Sequence, residues 1–219
     1  MKKVVGIDEA GRGAVLGPLV ICGAVSFENK IKKLKDLEVK DSKEHTPKER
    51  LELQPKIEEV IDGFEMIRIS PEEIDESRNT GTNLNELEVK KMAQIINETN
   101  PDVAYLDAVD PNENSFKGRL SKYLDVDVEL IAEHGADAKY PIVSAASILA
   151  KVARDADIEE LKRIYDTDLG NGYPHDSLTQ TFLKEWLQEN KKLPKIVRKT
   201  WATAINAVGK QKQKSLESW

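Results

Sequence analysis

Cysteine, histidine and aromatic residues are scarce in this chain, and it has no long apolar run. Its 219 residues include one cysteine, three histidines and 5% aromatics. A single cysteine excludes an internal disulfide framework, which fits a reducing cytoplasm. Cys22 lies in the apolar run Leu19 to Val25 and reads as a core thiol. His45 and His175 sit in polar loops without ligand spacing, and His134 beside Gly135 reads as a turn residue, so a zinc site is not expected. No segment approaches the roughly 18 apolar residues of a membrane span, and no membrane partner is expected. Lys2 and Lys3 lead directly into a strand, so no signal peptide is expected either. The 39% apolar content suits one sizeable core with a small helical appendage.

Charge is plentiful and unevenly spread. The net charge is −6, yet residues 184 to 214 carry nine Lys or Arg against Glu185 and Glu189, a local +7. With Glu217 counted, residues 1 to 183 are left at −12. A basic end can hold a polyanion while an acidic body concentrates divalent cations. A solvated helix face with a frayed end would show the same charges.

The most informative stretch is near the start. Val4, Val5 and Ile7 read as a buried strand that reaches Asp8 and Glu9 and then a Gly11-Arg12-Gly13 turn. Carboxylates at the exit of a buried strand are expensive unless paired, hydrogen-bonded or bound to a cation. Glycines let the backbone approach a ligand, and the planar guanidinium of Arg12 suits phosphate.

Further along, Leu19 to Phe27 reads as a second strand. Thr46-Pro47 with Glu49 makes a capping box for a helix to about Ile61, with Leu51 among its apolar positions. Phe64 to Ile69 reads as a strand and Ser70-Pro71 starts a short helix. Asn85 is the expected cap of a helix to about Asn97, with Glu88 at capping-box distance. Val103 to Asp107 is a strand, Pro111 to Tyr123 a helix, and Val126 to Ile131 a strand. Ser144 to Lys151 opens a helix to about Tyr165 whose small residues suit close packing; Arg154 and Asp155 on it read as a surface ion pair. Gly170 to Pro174 reads as a flexible loop, followed by helices over Ser177 to Glu189 and after Pro194. The order implies an α/β fold, a mixed sheet with a helical C-terminal part.

Three strand ends thus carry acids: Asp8 with Glu9, Asp107, and Asp137 just beyond the last strand. Ligands gather at the carboxyl ends of parallel strands. Acids converging there repel one another unless cations neutralise them, and oxygen-only donors select Mg²⁺ or Mn²⁺. Neighbouring residues on a regular strand face opposite ways, so Asp8 and Glu9 share a site only if the strand ends or twists at Glu9.

Asp8-Glu9-Ala10-Gly11-Arg12-Gly13, Asp41-Ser42-Lys43, Asp107, Ala136-Asp137 with Ser144 to Lys151, Gly172-Tyr173-Pro174 and Val197 to Trp201 resemble, in this order, the signature blocks of type 2 ribonuclease H, in its single-chain archaeal form. Ala14 departs from the pattern, which has proline there, and so does His45, where an apolar residue is usual.

The resemblance implies a ribonuclease H-like mixed five-stranded sheet flanked by helices. It divides the chain into a catalytic domain over 1–170, a helical substrate-binding region over 171–209 and a flexible basic tail over 210–219. It implies a metal-dependent endonuclease acting on RNA/DNA hybrids and on DNA with embedded ribonucleotides. The cut falls 5′ of the ribonucleotide and leaves 3′-hydroxyl and 5′-phosphate. Asp8, Glu9, Asp107 and Asp137 would be catalytic, holding two ions, one activating water and one stabilising the leaving oxygen. Gly11, Arg12 and Gly13 would contact the phosphate and 2′-hydroxyl, Tyr173 the adjacent sugar and 2′-hydroxyl, and Lys43 phosphates. Gln213, Leu216 and Trp219 look like a shortened sliding-clamp binding box. Read from the residues alone, a DNA-only nuclease and a hybrid-binding module with structural acids stay open.

Overall fold

The structure is a computed structural model that describes residues 1–37 and 45–217, with side chains up to residue 211. Five strands, β1 (Lys3–Ala10), β2 (Leu19–Phe27), β3 (Gly63–Ile69), β4 (Val103–Asp107) and β5 (Glu129–Glu133), form one sheet in the order β3-β2-β1-β4-β5. β1 pairs antiparallel with β2, and β4 pairs parallel with both β1 and β5. The carboxyl ends of β1, β4 and β5 therefore lie side by side.

The helices are α1 (Ile31–Asp36), α2 (Pro47–Val60), α3 (Pro71–Asn79), α4 (Leu84–Thr99), α5 (Glu113–Leu120), α6 (Ala136–Lys139), α7 (Pro141–Tyr165), α8 (Ser177–Asn190) and α9 (Ala202–Glu217). Local chemistry explains their starts. Thr46 and Glu49 close the expected capping box on α2, and Ser70 caps α3 ahead of Pro71. Asn83, not Asn85, caps α4, accepting from the Glu86 N–H at 2.9 Å. Asn85 instead donates to Asp110 at 2.7 Å, and Glu88 is buried within the helix. Leu51 is exposed, so α2 turns only part of its expected apolar set inward. β5 begins three residues after Val126, because the apolar run there precedes the pairing with β4. Pro111 lies outside α5, and α9 begins at Ala202, eight residues after Pro194.

The chain packs as two units. The first comprises Met1–Ala10, Val20–Arg68 and Asn83–Ala153, and it contains the sheet. Its core joins Val4, Val20, Cys22 and Ala24 to Ile142, Val143, Ala146 and Leu149 of α7. Glycines set how closely the helices approach. A Cβ on Gly6 would stand 2.4 Å from the backbone of Ile142, so the first turn of α7 lies directly on β1. A Cβ on Gly23, paired with Ile7, would meet Ile95 of α4 at 2.4 Å. Since faces alternate along β1, α7 covers the Gly6–Asp8 face and α4 the Ile7 face. The second unit comprises Gly11–Leu19, Ile69–Thr82 and Arg154–Trp219, around a core of Val15, Leu16, Leu169, Phe182, Leu183 and Val197.

Candidate active site

Asp8 and Asp107 stand where the register puts them. The parallel pairing of β1 and β4 runs to Ile7↔Leu106, and the two acids follow one residue on. Asp107 Oδ1 accepts from the backbone N–H groups of Gly135 and Ala136 at 2.8 and 3.3 Å, capping the start of α6. Gly135 takes φ +65° there, a conformation that favours glycine. Asp137, in the first turn of α6, is 3% exposed. Glu133, paired with Asp107, is occupied by Lys139 at 2.5 Å and Tyr140 at 2.9 Å. β1 stays paired with β2 through Ala10↔Val20, so it does not end at Glu9, and Asp8 and Glu9 alternate faces.

Charge governs this edge. Burial raises the Asp8 carboxyl to about 6, and the Asp107 carboxylate adds to the rise. The Lys151 ammonium, a Ser147 hydrogen bond and the Glu9 N–H at 2.8 Å pull it back. Ser147 and Lys151, 2.5 Å apart, lie one turn apart on α7. The acids offer only carboxylate oxygens, the donor type that Mg²⁺ and Mn²⁺ take. Oε2 of Glu9 and Oδ1 of Asp137 are buried and accept no hydrogen bond among the described residues, although both residues have other interactions. The donor set fits such an ion in kind. Among the described residues, however, no three His, Cys, Asp or Glu side chains already stand together as a finished ion site. Asp8 and Asp107 each use Oδ1 for backbone N–H groups, and a carboxylate has further lone pairs with which to coordinate an ion.

The second unit holds the glycine turns. Gly11 and Gly172 take φ +84° and +79°, and the Ala14 N–H closes the Gly11 turn at 3.2 Å, a bond that proline at this position would lack. The Gly172 carbonyl accepts from Val15 and Leu16 at 2.8 and 3.1 Å. Its N–H donates to Thr179 Oγ1 at 3.0 Å, and Thr179 donates to the Leu169 carbonyl at 2.7 Å. The Gly170–Pro174 loop, expected to be flexible, is anchored at both sides. Tyr173 is half-buried, its N–H bonded to Asn171 Oδ1 at 2.9 Å. Arg12 is half-buried, and its carbonyl accepts from Arg198 Nη1 at 2.9 Å. Arg198, fully buried, also donates from Nε to the Gly17 carbonyl at 3.2 Å.

Lys43 and Trp219 lie outside the described residues, as do the side chains of Gln213 and Leu216, whose backbones continue α9. Arg154 corrects an expectation. It is 3% exposed, so it is not half of a surface ion pair; Asp155 is 3.7 Å away and the guanidinium lies 4.9 Å over the Tyr173 ring. Such a contact with a desolvated cation is worth about 2 kcal/mol.

A sequence profile of ribonuclease HII matches residues 5–204. The chain is 47% identical to the ribonuclease HII of Pyrococcus furiosus over 92% of its length and 89% of the relative's. The chain belongs to the ribonuclease HII family. Among solved structures, the ribonuclease H2 of Pyrococcus horikoshii superposes with a TM-score of 0.89 at 43% identity, covering 96% of this chain and 99% of that one. The ribonuclease HII of Archaeoglobus fulgidus, solved in complex with PCNA, gives 0.84 at 39% identity over 93% and 96%. Membership of the ribonuclease HII family makes this protein a ribonuclease H endonuclease with the expected five-stranded fold.

Sequence reasoning placed Arg154 in a surface ion pair and gave Arg198, Ser147 and Lys151 no role of their own. A signal for Arg154 was present, since it continues a stripe with Ala150 and Ile158, both buried on α7. An arginine on an apolar stripe reports a buried partner.

Proposed function

We propose that this ribonuclease H is a divalent-metal-dependent enzyme that cuts 5′ of a ribonucleotide, in RNA/DNA hybrids and in DNA with embedded ribonucleotides, leaving 3′-hydroxyl and 5′-phosphate. The observation that carries the reading is the register that sets Asp8 beside Asp107, with Asp137 following the two N–H groups that Asp107 accepts. Asp8, Glu9, Asp107 and Asp137 hold Mg²⁺ or Mn²⁺. Glu9 is included on the family resemblance, and its side chain must round the strand end at Ala10-Gly11 to join the others. Bound divalent ions supply Lewis-acid charge at the scissile phosphate and a more acidic water.

The chain's own groups do the rest. Gly11, Arg12 and Gly13 present backbone to the phosphate and the 2′-hydroxyl, the group that separates RNA from DNA. Tyr173 sets the adjacent sugar and so orients the bond to be cut. Lys43 and the basic residues from 184 to 214, the buried Arg198 excepted, bind phosphates without reading bases. The family's complex with PCNA supports a second partner, a sliding clamp held by Gln213, Leu216 and Trp219. Among the described residues no helix is long and apolar enough to cross a membrane. We place the enzyme in the cytoplasm, where Cys22 stays reduced.

The test is a DNA duplex with one embedded ribonucleotide, incubated with Mg²⁺, Mn²⁺ or EDTA. Cleavage 5′ of the ribonucleotide, abolished by EDTA and absent on the all-deoxy control, is expected. Equal cutting of the control would move the assignment to a DNA nuclease of the same fold. Deleting residues 213–219 is expected to weaken binding to a cognate clamp, and unchanged binding would end that part of the proposal.

A further inference from the structure

We infer that Arg154 is a positioning residue, whose buried guanidinium plane fixes Tyr173 and the glycine turns at 11 and 172 in the arrangement the substrate requires. The inference rests on the substrate role proposed for those turns. It deepens that role by naming what holds them.

Three contacts converge on this one side chain. Its guanidinium carbon lies 4.9 Å from the Tyr173 ring centroid. Its Nη2 donates to the Asn171 carbonyl, two residues before that ring. The glycines close around it. A Cβ on Gly172 would stand 2.8 Å from Nη2, and one on Gly11 would stand 3.3 Å from Cγ and Nε. On the ring's other neighbour, a Cβ on Gly13 would be 3.9 Å from Tyr173 Cε1. Both glycine segments and the tyrosine therefore take their places from the same plane.

Arg154 is an odd choice for a purely structural role. A buried arginine is stabilised best by a bidentate carboxylate. Here the carboxylate of Asp155 is 3.7 Å away and partly exposed, and the buried Nε has no hydrogen-bond partner among the described residues. Desolvation lowers the tendency of this guanidinium to hold its proton, against the pull of Tyr173 and Asp155. What the site uses is the flat surface. A lysine offers a point charge and no plane.

The test is steady-state cleavage of a duplex with one ribonucleotide by wild type, Arg154→Met, Arg154→Lys, Tyr173→Ala and the Arg154→Met/Tyr173→Ala double variant. Arg154→Met is expected to lower kcat about 30-fold with KM within about threefold, and Arg154→Lys to recover only part of the loss. In the Tyr173→Ala background the same change is expected to cost about twofold or less, because Arg154 acts through the ring. Losses that multiply in the double variant, or a raised KM at unchanged kcat, would overturn the inference. If Arg154→Met fails to fold, the Arg154→Lys pair of single and double variants decides in the same way. Wild type cutting the all-deoxy duplex equally would defeat the proposed function itself. Normal ribonucleotide cutting with multiplying losses would defeat only the role of Arg154.

Discussion

The acidic edge of the sheet and the glycine turns of the second unit handle buried charge in opposite ways. At the edge, Asp8 is pushed toward its neutral form by burial and by Asp107, and only Ser147, Lys151 and one N–H offset this. Disfavouring the ionised form of Asp8 leaves the edge ready for added positive charge. Around the turns, two buried arginines spend their N–H groups on carbonyls of Arg12, Gly17 and Asn171. Charge is stored as strain to be relieved in one place and used as internal scaffolding in the other. Stability and activity should therefore separate on mutation.

The largest expected effect is on chemistry. Asp8→Asn should reduce cleavage about a thousandfold or more, as loss of a metal ligand does. It should also leave the fold in EDTA at least as stable as wild type, since a poorly compensated buried charge is gone; urea unfolding that shows a clear loss would break the comparison. Tyr173→Ala should lower kcat about 10- to 100-fold with duplex affinity within about threefold, because it orients more than it anchors. Affinity and turnover falling together in single-turnover assays would count against that.

Arg198→Met should act on the fold. Leaving the buried Gly17 carbonyl and the partly buried Arg12 carbonyl without this donor costs about 2 to 4 kcal/mol in denaturant titrations. Gly6→Ala should cost about 1 to 3 kcal/mol, because α7 must lift off β1 to admit the methyl group. The smallest effect is at Lys2, whose pair with Glu129 is exposed on both sides; Lys2→Met should leave the urea midpoint unchanged within error.

Much of this was legible in the sequence, and the gaps have physical reasons. Strand ends at Asp8 and Asp107 are visible because apolar runs stop at them. The capping box at Thr46 is visible because its spacing is local. The true cap at Asn83 was hidden behind Asn85, since both asparagines precede a glutamate by three residues and only packing against Asp110 separates them. The continuation of β1 past Glu9 depends on pairing with β2, which no local pattern in β1 records. Arg154 was misjudged, and Arg198 given no role, for a related reason. The carbonyls and the ring they contact leave no pattern in the sequence, and for Arg154 the adjacent Asp155 suggested a surface pair instead.

Cys22 sits opposite Asp8 in the ladder between β1 and β2, sealed from solvent, with burial pushing its thiol well above the usual range. As the sole sulfhydryl, it is a natural clock for the strand that carries the first acid. Its side chain packs in the core beneath α7, so an alkylating reagent can mark it only when that face of the sheet is uncovered, and labelling reports this opening without any engineered probe.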